Sequence, residues 1–136
     1  MSTRCQIGIY ETQGQDIGKP SVLLYKHSDG YPDGVLPIIE PFLKDFKAKR
    51  GLDDFEYCAA WLLYSLMAEA MKQRAQYAKR NDKYPSILDY TGYGIGSVFY
   101  WDIEYYYRVH PNELRVYETH CKEDPQDWTL IQTIPL

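Results

Sequence analysis

The fold turns on Lys26-His27-Ser28-Asp29-Gly30-Tyr31-Pro32-Asp33-Gly34. Before it, Ser21 to His27 reads as a strand around the apolar run Val22 to Tyr25. After it, Val35, Ile39, Phe42, Leu43 and Phe46 recur at i, i+4, i+7, i+8 and i+11, which is one face of a helix. A short apolar run gives way to an apolar helical period across the stretch, so the chain is expected to pass there from sheet to helix. A turn requires Gly and Pro. It does not require a Lys, a His, two Asp and a Tyr, and that surplus makes the stretch the first place to look for a site.

Outward toward the N-terminus, residues 4–10 alternate, with Cys5, Ile7 and Ile9 on one side and Arg4, Gln6, Gly8 and Tyr10 on the other. That is a half-buried strand, joined to the next by a polar loop with Gly14, Gly18 and Pro20. The two strands are expected to run antiparallel.

Outward toward the C-terminus, Asp33 is expected to cap the first helix. Pro37 is tolerable in a first turn, whereas Pro41 is expected to kink the helix or to mark its restart. Lys47, Lys49, Arg50 and Gly51 suit its end. Asp53 or Asp54 then opens a longer helix, with Phe55, Cys58, Ala59, Leu62, Leu66 and Ala70 on its apolar face. Trp61, Leu63, Tyr64 and Met67 widen that face, which implies a central helix or an oligomer interface. Its last turns, Lys72 to Arg80, are basic. Ile87 to Tyr93 reads as strand, broken or bent by Gly92, Gly94 and Gly96. Asp102 to Val109 and Leu114 to Thr119, around His110-Pro111-Asn112-Glu113, form the clearest hairpin. Within it Ile103, Tyr105, Tyr107 and Val109 share a face. Trp128 to Ile134 is the last strand. The expected fold is α+β: a mainly antiparallel sheet of about six strands with two helices on one face, in a single domain spanning 1–136.

Composition sets limits. The chain has 136 residues, 45% hydrophobic and 25% charged, which suits one domain. Its net charge of -4 with mixed signs argues against general duplex nucleic-acid binding, which needs a basic face. No apolar run approaches a membrane span, and no secretory h-region opens the chain. Cys5, Cys58 and Cys121 are odd in number without CxxC spacing, so neither a disulfide framework nor a zinc site is expected, and a reducing cytoplasm is the simplest setting. Tyrosine is in surplus, 14 against 4 Phe and 3 Trp, and serves either a Tyr-rich sheet or stacking on a planar ligand or subunit.

Three segments offer chemistry. His27 and Asp29, two apart on an extended strand, would share a face; they suit ligand contact, acid–base or metal chemistry, or an Asx turn. Thr91-Gly92-Tyr93-Gly94-Ile95-Gly96-Ser97 is either a glycine-rich bulge or a ligand-facing loop with Tyr93 as a stacking surface. It is followed by Val98-Phe99-Tyr100-Trp101 and lacks the helix that a dinucleotide fingerprint requires. Arg108, in a Tyr-rich strand, is either exposed or paired with a ligand phosphate, with Arg115 able to join it. Cys58 and Cys5 read as core, and no nucleophile arrangement emerges.

Thr3-Arg4 with Ile7-Gly8-Ile9, followed by His27-x-Asp29-Gly30-Tyr31-Pro32-x-Gly34-Val35, resembles small proteins of bacteriophage genomes that carry a His-x-Asp-Gly-Tyr-Pro turn. The element order, the size, the Tyr surplus and Arg108 on a late strand are similar to the phage Thoeris anti-defence sponge family. That resemblance implies sequestration, without degradation, of a cyclic ADP-ribose-type or cyclic nucleotide signal, by a homo-oligomer with shared pockets in the host cytoplasm. The ligand-binding residues expected on this reading are Arg4, Lys26 and Arg108 on phosphates, Tyr31 and Tyr93 on bases, and His27 and Asp29 on ribose or base edges. No cofactor, metal or catalytic residue is expected. The alternatives are a small enzyme cleaving a nucleotide signal with His27 and Asp29, and a protein-interaction inhibitor of a host defence enzyme.

Overall fold

The alternating N-terminal residues form β1 (Cys5–Ile9), and the apolar run before the turn forms β2 (Val22–Lys26), its antiparallel partner in the register Cys5↔Lys26 to Ile9↔Val22. The computed structural model describes residues 2–80 and 92–136. Helices α1 (Pro32–Lys49) and α2 (Phe55–Arg80) follow. Strands β3 (Tyr93–Gly96), β4 (Tyr105–Val109), β5 (Glu113–Glu118) and β6 (Thr129–Pro135) complete a six-stranded sheet in the order β3-β2-β1-β4-β5-β6. The sheet is mainly antiparallel, as the short strand connections imply. The exception is β1 beside β4, a parallel pair, whose long crossover carries both helices, as a parallel pair requires.

The two helices cover one face. Val35, Ile39, Leu43 and Phe46 of α1 and Cys58, Ala59, Leu62 and Leu66 of α2 bury against Cys5, Ile7, Ile9, Leu24, Tyr107 and Val109 of the sheet. The other face carries a second, aromatic core of Tyr10, Leu23, Ile103, Tyr106, Tyr117 and Trp128 under the connecting loops. Tyr106 meets Trp128 and Phe99 at ring distances of 4.7 and 5.3 Å. Its hydroxyl is buried 2.6 Å from that of Tyr10, which donates to the Ile17 carbonyl at 2.7 Å. Gly8 makes room for Tyr106: a Cβ there would lie 1.7 Å from the hydroxyl. Gln6, also fully buried, bonds the Val98 carbonyl and the Tyr100 amide at 3.1 and 3.0 Å, pinning the loop beneath it.

Several expectations are corrected. Tyr31 occupies the N-cap of α1 without a side-chain bond, Pro32 takes the first helical position, and Asp33 falls in the first turn. Proline's fixed φ suits a helix start, so the boundary falls before Asp33. Pro37 and Pro41 both lie inside α1, which continues through them without a restart; its buried stripe holds the helix against the sheet on either side. Ile103 precedes β4 and packs into the aromatic core, on the opposite face from Tyr107. The glycines at 94 and 96 do not break a strand; they belong to β3, paired with Tyr25 and Leu23. The expected strand from Ile87 lies outside the described residues as far as residue 91.

Candidate functional site

The turn from β2 into α1 is built by steric necessity. Asp29 adopts a positive φ of 55°, which Asp tolerates better than most residues. Gly30 is buried where the chain crosses β1: a Cβ would lie 2.8 Å from the Cys5 Cβ and 2.9 Å from the Arg4 backbone. Its amide donates to the Thr3 carbonyl at 2.9 Å, and its carbonyl accepts from the Tyr107 hydroxyl at 2.7 Å. Gly34 sits under the Asp29 carbonyl, 2.5 Å from where its Cβ would stand. Gly30, Pro32 and Gly34 are therefore explained by the turn, whereas the side-chain chemistry of Lys26, Asp29, Tyr31 and Asp33 goes beyond what the turn requires.

Those four residues meet at one cleft of about 300 Å³, lined also by Gly34, Pro37 and Ile38 of α1, by Glu69, Ala70 and Gln73 of α2, and by Tyr93 of β3. Lys26 is 6% exposed. Its ammonium donates to the Ser28 carbonyl and stands 5.3 Å from the centre of the Tyr93 ring. Burial pushes its pKa down, opposed by the nearby Cys5 and Asp29. The Tyr93 hydroxyl is pushed up to about 12, mainly by burial. Among the described residues the cleft thus presents one ammonium, two phenol rings, one carboxamide and three carboxylates, Asp29, Asp33 and Glu69. It accepts hydrogen bonds at more positions than it donates them, and it suits a ligand rich in hydroxyl and amino groups better than one rich in phosphates. Among the described residues no group of three His, Cys, Asp or Glu side chains is placed to hold a metal ion. Cys5 is fully buried, and burial pushes its thiol up to about 12, which disfavours the thiolate.

The remaining sequence candidates lie elsewhere. His27 follows the end of β2, where its amide bonds the Gly92 carbonyl at 2.7 Å. Its Nδ1 is 2.8 Å from the Tyr25 hydroxyl and accepts from Arg4 Nε at 3.4 Å. Arg4 pairs with Asp102 at 3.3 Å. The spacing argument that gave His27 and Asp29 one face fails because β2 ends at Lys26 and the chain turns at Asp29. His27 joins an exposed cluster with Arg4 and Tyr25, whereas Asp29 lines the cleft. Arg108 is beside Gly8 in the sheet, far along the strands from Arg4. It is half-buried: one NH2 donates to the Gln15 carbonyl at 2.6 Å, and the guanidinium lies 5.0 Å from the Tyr10 ring centre. Arg115 is its cross-strand neighbour, as expected, but it is engaged by Glu113 at 2.6 Å.

Sequence reading missed Asp33 as a wall residue, and also Glu69 and Gln73. The i, i+4 spacing of the last two on α2 signals a shared face, but only the packing of α1 on α2 shows that this face meets the turn. It also missed His110, fully buried and stacked on Tyr10 at 5.4 Å, with neither ring nitrogen hydrogen-bonded among the described residues. Burial, then Arg108 and Arg115, push its pKa down to about 4. Among the described residues no helix is long and apolar enough to cross a membrane. No protein-family model, curated protein or solved structure matches the chain.

Proposed function

We propose that the chain is a binding protein that captures a nucleoside-containing small molecule in the cleft between the β2–α1 turn, α2 and β3, without transforming it. The observation that carries this reading is the buried Lys26 ammonium against the Tyr93 ring at the cleft wall, faced by Asp29, Asp33 and Glu69. A planar base stacks on Tyr93, ribose hydroxyls and exocyclic amines donate to the carboxylates, and Lys26 meets a single carbonyl or phosphate oxygen. Among the described residues the cleft lining holds no imidazole and no thiol, which favours holding over turnover. The anti-defence sponge is the specific form of this proposal: the nucleoside is then part of a cyclic ADP-ribose-type signal, and phage-encoded protein sequesters it in the host cytoplasm.

Mass spectrometry of small molecules released by denaturing the purified chain tests the proposal. The expected result is an intact nucleoside-containing compound at near-stoichiometric amount, lost from Tyr93→Ala and reduced in Glu69→Gln. Recovery of a chemically altered ligand, or retention of the same compound by both variants, overturns it.

A further inference from the structure

Helix α2 is apolar on two faces. Cys58, Ala59, Leu62 and Leu66 point into the core, in line with Glu69, Ala70 and Gln73 at the cleft. On the opposite side Tyr57, Trp61, Tyr64, Ala68, Met71 and Ala75 recur at alternating spacings of four and three residues. The large members of this stripe are exposed: Tyr57 55%, Trp61 54%, Tyr64 60% and Met71 41%. At 1.5 Å per residue the stripe runs about 27 Å. An average period of 3.5 is that of a coiled-coil seam and implies a second helix as the occupant.

We infer that this seam pairs antiparallel with the same seam of a second copy, forming a two-fold dimer. The stripe is large at its start and small, apart from Met71, at its end. With the two-fold axis midway between Tyr64 and Ala68, Tyr57 faces the second copy's Ala75, Trp61 faces its Met71, and Tyr64 faces its Ala68. Every seam residue then has a partner of complementary size, and the Trp–Met pair gains a sulfur–aromatic contact. A parallel pairing sets Trp61 on Trp61 and Tyr64 on Tyr64, and leaves gaps at Ala68 and Ala75. Charge agrees: the sequence is acidic at Asp53, Asp54 and Glu56 and basic from Lys72 to Arg80. Antiparallel pairing brings these opposite ends together and opposes the helix dipoles. Because the seam faces away from the cleft, the described lining of each cleft comes from one chain and the dimer stands apart from the ligand proposal.

Sedimentation equilibrium of the full chain is expected to give twice the 16.0 kDa chain mass at micromolar concentration. The exposed-site variants Trp61→Glu and Tyr64→Glu are expected to raise the dimer dissociation constant at least about 100-fold while keeping the parent's circular dichroism spectrum. They are expected to leave ligand content unchanged. Orientation is read by cross-linking in a Cys121→Ser background under a mild oxidant. Tyr57→Cys/Ala75→Cys is expected to give a covalent dimer, and Ala75→Cys alone is expected to give none. A single-chain mass at all concentrations, which leaves the seam to a different partner, overturns the inference. So does a dimer that survives Trp61→Glu, or efficient cross-linking by Ala75→Cys alone.

Discussion

The two faces of the sheet are built from different chemistry. The helix-covered face is aliphatic, and at its end beside the β2–α1 turn it leaves a cleft whose carboxylates have no partner among the described residues' hydrogen bonds. The loop-covered face is aromatic, and most of its polar atoms are consumed internally: Tyr10 on Tyr106, Gln6 on the 98–100 loop, Arg108 on Gln15. Much of the tyrosine surplus therefore serves a second core. A polar group already bonded within the fold must break that bond to meet a ligand, whereas one facing an open cleft need not. The difference separates the residues that hold the protein together from those free to bind.

The sharpest way to break this contrast is Tyr106→Ala. Removing a fully buried ring from the aromatic face should cost about 3–5 kcal/mol by urea unfolding, while any folded fraction keeps its ligand. A loss below 1 kcal/mol would show that this face is not a core. His110 probes the same face by pH. Its folded pKa of about 4 lies below the unfolded 6.5, so the unfolded chain binds a proton that the folded chain refuses. Stability should be complete above pH 6.5, fall by on the order of 2–3 kcal/mol as the pH drops to about 4, and level off below that. In His110→Phe this part of the pH dependence should vanish.

Gly30→Ala tests the join between the faces. Its Cβ meets β1 backbone, which cannot swing aside, so a loss of about 1–3 kcal/mol is expected. Smallest in stability are Asp33→Asn and Glu69→Gln. Both should stay within about 0.5 kcal/mol of the parent while weakening the ligand.

Periodicity made the layers legible. Cys5, Ile7 and Ile9 alternate, Val35 to Phe46 follow a helical stripe, and both patterns report burial directly. The parallel β1–β4 pair was not legible, because local sequence says nothing about which strand a crossover returns beside. The candidate site was half legible. Lys26, Asp29, Tyr31 and Tyr93 stand out for their chemistry and line the cleft, whereas Arg4, His27 and Arg108 stand out on the same grounds and lie elsewhere. The error at His27 and Asp29 has one cause: a two-residue spacing fixes a face only while the strand lasts, and β2 stops at Lys26. Glu69 and Gln73 were hidden because the packing of the two helices, and not the spacing on either, brings them to the turn.

The central claim is that ligand enters the helix-side cleft and not the opposite face. Amide chemical shifts followed during titration with adenosine, a probe carrying a planar base, an exocyclic amine and ribose hydroxyls, test it most directly. The account predicts saturable shifts confined to Lys26, Asp29, Asp33, Glu69 and Tyr93 and their neighbours. Shifts centred on Arg4, His27 and Arg108, or no saturable shift at the cleft, would contradict it.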